Sequence, residues 1–227
     1  MIKGSLVVLV CILVTAPFAS AQAVEAFVGY TNLQSEGLPE TNAPSFEPFD
    51  IGFFRQRTTL HGINASFTGY PAPDLNFSFT GDVSWARRGH NDDITGGQQT
   101  RNIDTLYFVG GPSVKFARGS KFQPFARIMA GLAHTSFDAN TTVSLPGGGS
   151  STSSFDVSSN DFTASVGGGF DVRMGERMKL RLFQADWMPV FLSDRSVQIL
   201  GSNGVLQPAT LSHQRQDNWR FSIGLVF

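Results

Sequence analysis

Eight polar side chains sit inside runs that otherwise read as strands, and their types and spacing suggest one concerted arrangement. Asp82, Arg127, Asp171, Arg173, Asp186 and Arg220, with Arg181 and Gln184 as companions, interrupt segments whose alternate residues are apolar. Carboxylates and guanidiniums in near balance tolerate burial only when each is paired and hydrogen-bonded. The guanidinium fork suits bidentate contact with a carboxylate. The set therefore reads as an internal salt-bridge network in preference to a proton or ion path. A second arrangement is His134-Thr135-Ser136, where an imidazole and a hydroxyl two residues apart share one face of a strand. A base beside a hydroxyl is the minimum for hydrolysis. His-x-Ser recurs by chance, however, and no Glu follows until Glu176, so no catalytic residue is assigned.

Metal chemistry has weaker candidates. His90, Asp92 and Asp93 lie in a stretch rich in Asn, Gly and Gln, which reads as a solvated turn. His61 and His213 have no matched ligands nearby, and the Asn-x-Ser/Thr triplets at Asn64, Asn76 and Asn140 are chance matches. No metal and no cofactor is expected.

The elements that must position these groups follow a period of two, the signature of a sheet with unlike faces. Leu75, Phe77, Phe79, Val83 and Trp85 alternate with Asn76, Ser78, Thr80, Asp82 and Ser84. The same alternation marks Ile63 to Thr68 and Phe162 to Val172, and an apolar row runs through Leu106, Phe108, Val114 and Phe116. Further strands are expected over Val24 to Thr31, Phe122 to Thr135, Met178 to Met188 and Asn218 to Phe227, making eight. Several runs reach the length of about 9 to 11 residues that a strand needs to cross a bilayer, beyond the five or six usual in soluble sheets. In the seventh run Arg181 is out of phase with Gln184 and Asp186, and a β-bulge near Leu182 would turn all three inward.

The connections alternate in length. Tyr70 to Asp74, Ala117 to Lys121 and Met174 to Arg177 are short; Asn32 to Thr59, Arg87 to Asn102, Ser136 to Asn160 and Pro189 to Arg215 are long. Short turns on one side and long loops on the other characterise membrane β-barrels. The Ser, Thr and Gly tract from Thr141 to Ser159 is too poor in apolar groups to fold alone and is expected to be flexible. The first long loop carries Phe46, Phe49, Ile51, Phe53 and Phe54 and is expected to extend the wall as a hairpin, in preference to presenting a contact surface. Trp85, Trp187 and Trp219 fall at the outer strand ends, while Phe116, Phe122 and Phe227 fall at the inner ends, as two interfacial aromatic belts require.

The chain has 227 residues and a formal net charge of −1, with no basic tract, so nucleic acid is not an expected partner. Residues 1–23 read as a cleaved signal peptide. Lys3 supplies the positive start, Leu6 to Val14 the apolar core, and Ala19-Ser20-Ala21 or Ala21-Gln22-Ala23 the cleavage site. Cys11, the chain's one cysteine, lies inside this leader, which leaves 24–227 without a disulfide.

The segments VEAFVGYTNL, FVGGPSVKF, FQPFARIMAGLA, SVGGGFDVR, LRLFQADW and NWRFSIGLVF resemble the small outer-membrane β-barrel family related to the N-terminal domain of OmpA. The last run, with Trp219, Phe221, Ile223, Leu225 and the terminal Phe227 on one phase, resembles the signal read by the barrel-assembly machinery. The resemblance implies an all-β, eight-stranded antiparallel up-and-down barrel in the outer membrane of a Gram-negative cell. It implies as partners outer-membrane lipid including lipopolysaccharide, the assembly machinery with periplasmic chaperones, and an unknown external ligand at the loops. A monomer is expected. Larger OmpA-type proteins continue into a peptidoglycan-binding domain, and this sequence ends on the barrel's last strand, so no cell-wall tether is expected. The expected role is structural or interactive, with a side-chain-filled lumen and no catalysis. The alternatives are a minor small-solute channel and a lipid A-modifying hydrolase using His134 and Ser136.

Overall fold

A computed structural model describes residues 24–36, 57–72, 75–94, 97–145, 148–175, 177–193, 195–200, 206–211 and 215–227. The leader, the apolar stretch from Phe46 to Phe54 and His213 lie outside the described residues. Among the described residues ten strands form: β1 (Val24–Ser35), β2 (Thr58–Gly69), β3 (Phe77–Ile94), β4 (Gly97–Lys115), β5 (Phe122–Leu145), β6 (Gly149–Arg173), β7 (Lys179–Phe191), β8 (Arg195–Leu200), β9 (Leu206–Leu211) and β10 (Arg215–Val226). Eight of them close an antiparallel barrel in the order β1, β10, β7, β6, β5, β4, β3, β2, and β8 pairs only with β9. The barrel closes where Phe27 meets Val226 and the ladder runs up to Gln34 opposite Trp219.

Every barrel strand turns apolar side chains outward. Val28, Ile63, Phe79, Phe108, Ile128, Leu132, Phe162, Val166, Phe183 and Ile223 are exposed, Ile63 and Ile128 by 62% and 61%. So large an apolar exterior on a closed ladder is a lipid-facing wall, because the barrel satisfies its own backbone and has no open edge within the bilayer. Trp85 and Trp219 are exposed at the outer ends of this band, with Trp187 paired to Trp219. Phe116, Phe122 and Phe227 are exposed at the inner ends. The chain is an outer-membrane-type β-barrel.

Two loops expected from the sequence are strand instead. β3 and β4 pair without interruption from Phe77–Val114 to Ile94–Gly97, and β5 and β6 pair from Phe122–Val172 to Leu145–Gly149. The tract from Thr141 to Ser159 therefore belongs largely to a regular ladder. It does not fold alone: β4 templates β5 as far as Val143, and cross-strand hydroxyls such as Thr142 and Thr152, 3.2 Å apart, meet on its outer face. The four strands β3 to β6 thus continue past the barrel rim as a sheet, and the last long connection contains the β8–β9 hairpin.

Strand β7 carries the irregularity. Phe170 pairs with Phe183 and Asp171 with Arg181, so Leu182 is an extra residue, and the opposite ladder shifts between Ser222 and Gly224. Both Leu182 and Phe183 face outward, while Arg181, Gln184 and Asp186 are all buried. The bulge reconciles a lipid-facing pair with three inward polar groups.

Candidate functional site

The interior holds three layers. The central one is a closed arrangement of two arginines and two aspartates contributed by four strands. Arg127 on β5 donates from Nε and Nη2 to the two oxygens of Asp186 at 3.0 and 2.7 Å, and from Nη1 to Asp82 at 3.1 Å. Arg220 on β10 donates to Asp186 from Nε and Nη2 at 3.1 and 2.9 Å, and from Nη1 to Asp82 and Ser84, both at 2.7 Å. Asn64 and Gln184 add amide donors to Asp82 and Asp186 at 2.9 and 2.8 Å. Arg220 and Asp186 are fully buried, so each carboxylate takes its solvation from guanidinium and amide donors. The layer is electrically neutral. Room for it comes partly from Gly167 on β6, where a Cβ would lie 2.3 Å from Asp186 Oδ1.

A second ionic layer lies toward the periplasmic end. Arg181 donates to Asp171 from Nε and Nη2 at 2.8 and 3.2 Å and from Nη1 to Gln184 at 2.8 Å, so Gln184 links the two layers. The Arg181 guanidinium is held between the faces of Phe27 and Phe125, at 4.4 and 4.2 Å from their centroids. Lys115 donates to Asp171 at 2.8 Å and also to Glu25, which accepts from Lys179 and, at 3.1 Å, from the Tyr70 hydroxyl. This layer carries one more cation than anion. The Phe27 ring packs closely over the closing seam where Gly29 and Gly224 face each other; a Cβ on Gly29 would lie 2.6 Å from it. Between the ionic layers is a void of about 10 Å³, lined in part by Ser78, Thr80, Ser113 and Arg127, roughly the space one water needs.

The third layer, toward the outside, is mainly apolar, with Arg101, Thr105, Asp161 and Thr163 buried at its levels. Leu33, Leu60, Ile103, Tyr107, Met129, Ala133, Phe137, Met188 and Val190 form one buried cluster. On β5 and β7 the change of character takes a single inward step, from Arg127 to Met129 and from Asp186 to Met188. Tyr107 accepts a hydrogen bond from Asn218 Nδ2 at 3.0 Å, which gives its hydroxyl a polar partner inside this cluster.

Seven of the eight residues singled out from the sequence meet in the ionic layers. Arg173 does not, and that expectation is corrected. It shares the inward phase of Asp171 but sits on the final β6–β7 rung, opposite Lys179, where the wall ends; exposed there, it donates to the Arg118 carbonyl in the periplasmic turn at 3.0 Å. Sequence reasoning missed Glu25, Lys115, Lys179 and Tyr70. Phase alone would have turned Lys115 inward, since Val114 and Phe116 flank it, whereas Lys179 and Tyr70 stand at strand ends where periodicity carries no signal.

The remaining candidates lie outside the lumen. His134 is exposed on the outer wall, with Nδ1 at 2.8 Å from Asn160 Oδ1, and Ser136 follows two residues on along the same face. His61 stacks on Tyr30 at 6.0 Å on the same outer surface. His90 is exposed on β3, and no group of three metal-ligating side chains occurs among the described residues.

No protein-family model and no curated protein sequence matches the chain. Among solved structures, the attachment invasion locus protein Ail of Yersinia pestis, crystallised in one case with the heparin analogue sucrose octasulfate, is 12% identical with a TM-score of 0.43; the match covers 92% of this chain and all of that one. OprG from Pseudomonas aeruginosa is 12% identical with a TM-score of 0.47, covering 91% and 94% of the two chains. A major outer membrane protein from Thermus thermophilus is 12% identical with a TM-score of 0.48, covering 89% and 98%.

Proposed function

We propose that this protein is a structural and surface-interacting barrel of the outer membrane, with an interior that serves as its core and not as a conduit. One observation carries this reading: two ionic layers and an apolar layer stack across the lumen, with Arg220, Asp186, Leu60 and Met188 essentially inaccessible. An eight-stranded barrel has an interior just wide enough for side chains to fill, and porins with a water-filled channel use about twice as many strands. Interaction then falls to the sheet that β3 to β6 raise beyond the rim. A His and a Ser on the outer wall, with an amide as the histidine's partner, give no support to hydrolysis. The narrower kinship with OmpA-type barrels, the leader over 1–23 and a monomeric state form part of the proposal.

Planar-bilayer recording tests the reading directly. Refolded wild-type protein should show no steady conductance, and Arg127→Ala, which opens space in the central layer, should show at most brief small openings. Porin-sized steady current in the wild type would overturn the proposal. The assembly role given to Trp219, Phe221, Ile223, Leu225 and Phe227 has a separate test: Phe227→Ala should lower the amount of heat-modifiable folded barrel in the outer-membrane fraction without changing synthesis, and wild-type insertion would remove that role.

A further inference from the structure

We propose that the outward face of the β4–β5 extension is a binding site for neutral saccharide, supplied by the sugar chains that project from the surrounding outer-leaflet lipid; this rests on the outer-membrane reading. The face contains a groove of about 370 Å³ lined by Gly97, Gln98, Thr100, Asn140, Thr142 and Ser144. Volumes of this order suit small ligands. The register aligns these groups in rows: Thr100 opposite Asn140, and Gln98 opposite Thr142, which in turn faces Thr152 on β6. The rows lie about 6.7 Å apart along the strands and roughly 4.8 Å apart across them. The result is a grid of amides and hydroxyls, each able to donate and to accept.

The chemistry of the lining excludes other ligand classes. A phosphate or sulfate would call for Arg or Lys, a metal ion for carboxylates, and an apolar ligand for aliphatic walls; none of these lines the groove. An extended peptide added to a sheet needs a free strand edge, whereas β4 and β5 are paired on both sides up to this level. A polyhydroxylated, uncharged ligand matches what remains. Orientation names its source. Thr100, Asn140 and Thr142 have the same outward phase as Phe108 and Leu132 of the lipid-facing wall. Asn140 stands six residues beyond His134, which is level with Trp85 through the Leu106 rung. Six residues span roughly 20 Å of strand, which clears the headgroup layer even at a tilt of about 40°. The groove therefore looks sideways into whatever chains project from neighbouring lipids.

The test uses the full-length folded barrel in detergent micelles, titrated with the uncharged polysaccharide fraction of the material that mild acid releases from lipopolysaccharide. Amide side-chain NMR signals of Gln98 and Asn140, assigned through Gln98→Ala and Asn140→Ala, should shift on titration. Asn140→Ala combined with Thr142→Val should weaken binding roughly tenfold or more, the scale of one or two lost hydrogen bonds, with the folded-barrel gel shift intact. Neutral dextran should compete weakly, since it is not the committed source, and isolated lipid A should leave both signals in place. Absence of shifts with the saccharide, or equal binding by the double variant, would overturn the site. Stronger binding of dextran would overturn the lipid source. Localisation is scored independently by membrane fractionation, so failure of the site and failure of the outer-membrane reading give different results.

Discussion

The two halves of the lumen solve the same filling problem by opposite means. In the outer half, Leu33, Leu60, Ile103, Met129, Met188 and Val190 supply most of the filling as apolar volume, and the buried polar groups among them, such as Asn218 on Tyr107, Thr163 on the Pro189 carbonyl and Asp161 on the Ser193 N–H, are satisfied one at a time and not in a shared ionic cluster. In the inner half, charged groups from β1, β3, β4, β5, β6, β7 and β10 converge, and nearly every donor is aimed at a particular oxygen. Apolar packing is non-directional and tolerates a shifted neighbour. A buried ion cluster is directional, and removal of one member strands the others. The inner half accordingly needed the β7 bulge, Gly167 and the glycine pair at the seam to seat its ionic groups.

That difference sets the order of expected mutational effects. The largest should follow Asp186→Ala, which leaves Arg127 and Arg220 facing each other with only Asp82 between them. A loss of roughly 3 to 5 kcal/mol is expected, measured by urea unfolding of the refolded barrel in micelles. A loss below about 1 kcal/mol would mean that water replaces the carboxylate and that the inner half is wetter than its burial indicates. The outer half should be far more forgiving. Ile103→Val, at the centre of the apolar cluster, should cost roughly 1 kcal/mol in the same assay. If the two variants prove equally damaging, the contrast between directional and non-directional filling fails.

The smallest effect lies outside the membrane and sharpens the comparison by showing charge at a partly exposed position. Asp138 on β5 faces Asp156 on β6 directly, with Asp104 one strand away. Partial burial, and then the neighbouring carboxylates Asp156 and Asp104, push the Asp138 carboxyl above the ordinary carboxylate range. A raised carboxyl binds more protons in the folded ribbon than in the opened one, so the ribbon loses stability as pH rises from the ordinary value through the raised one, and keeps it below both. Hydrogen exchange in the β5–β6 extension, corrected for intrinsic rate, should be slower at pH 4 than at pH 7, and Asp156→Asn should shrink the difference. Pairing like charges at the surface costs little because solvent screens them, which is why an arrangement that the lumen excludes is tolerated here.

Period two along single strands determined the barrel, its lipid face and the inward set of Asp82, Arg127, Asp171, Arg181, Gln184, Asp186 and Arg220, because alternation is a property of one chain segment read alone. It even required the bulge, since Arg181 and Asp186 cannot share a face without an extra residue between them. Phase says nothing of height along the barrel axis, however. Arg173 has the right phase and the wrong height, and only closure of the wall revealed that it stands at the exit. Glu25 and Lys179 come from opposite ends of the chain and meet because antiparallel pairing brings β1, β10 and β7 side by side. The Ser and Thr tract read as loop because its own residues cannot bury enough surface to order themselves, and it became strand because β4 was already in place to pair with it. Local pattern fixes which way a side chain points; register and closure decide what it meets, since they depend on pairings between segments far apart in sequence.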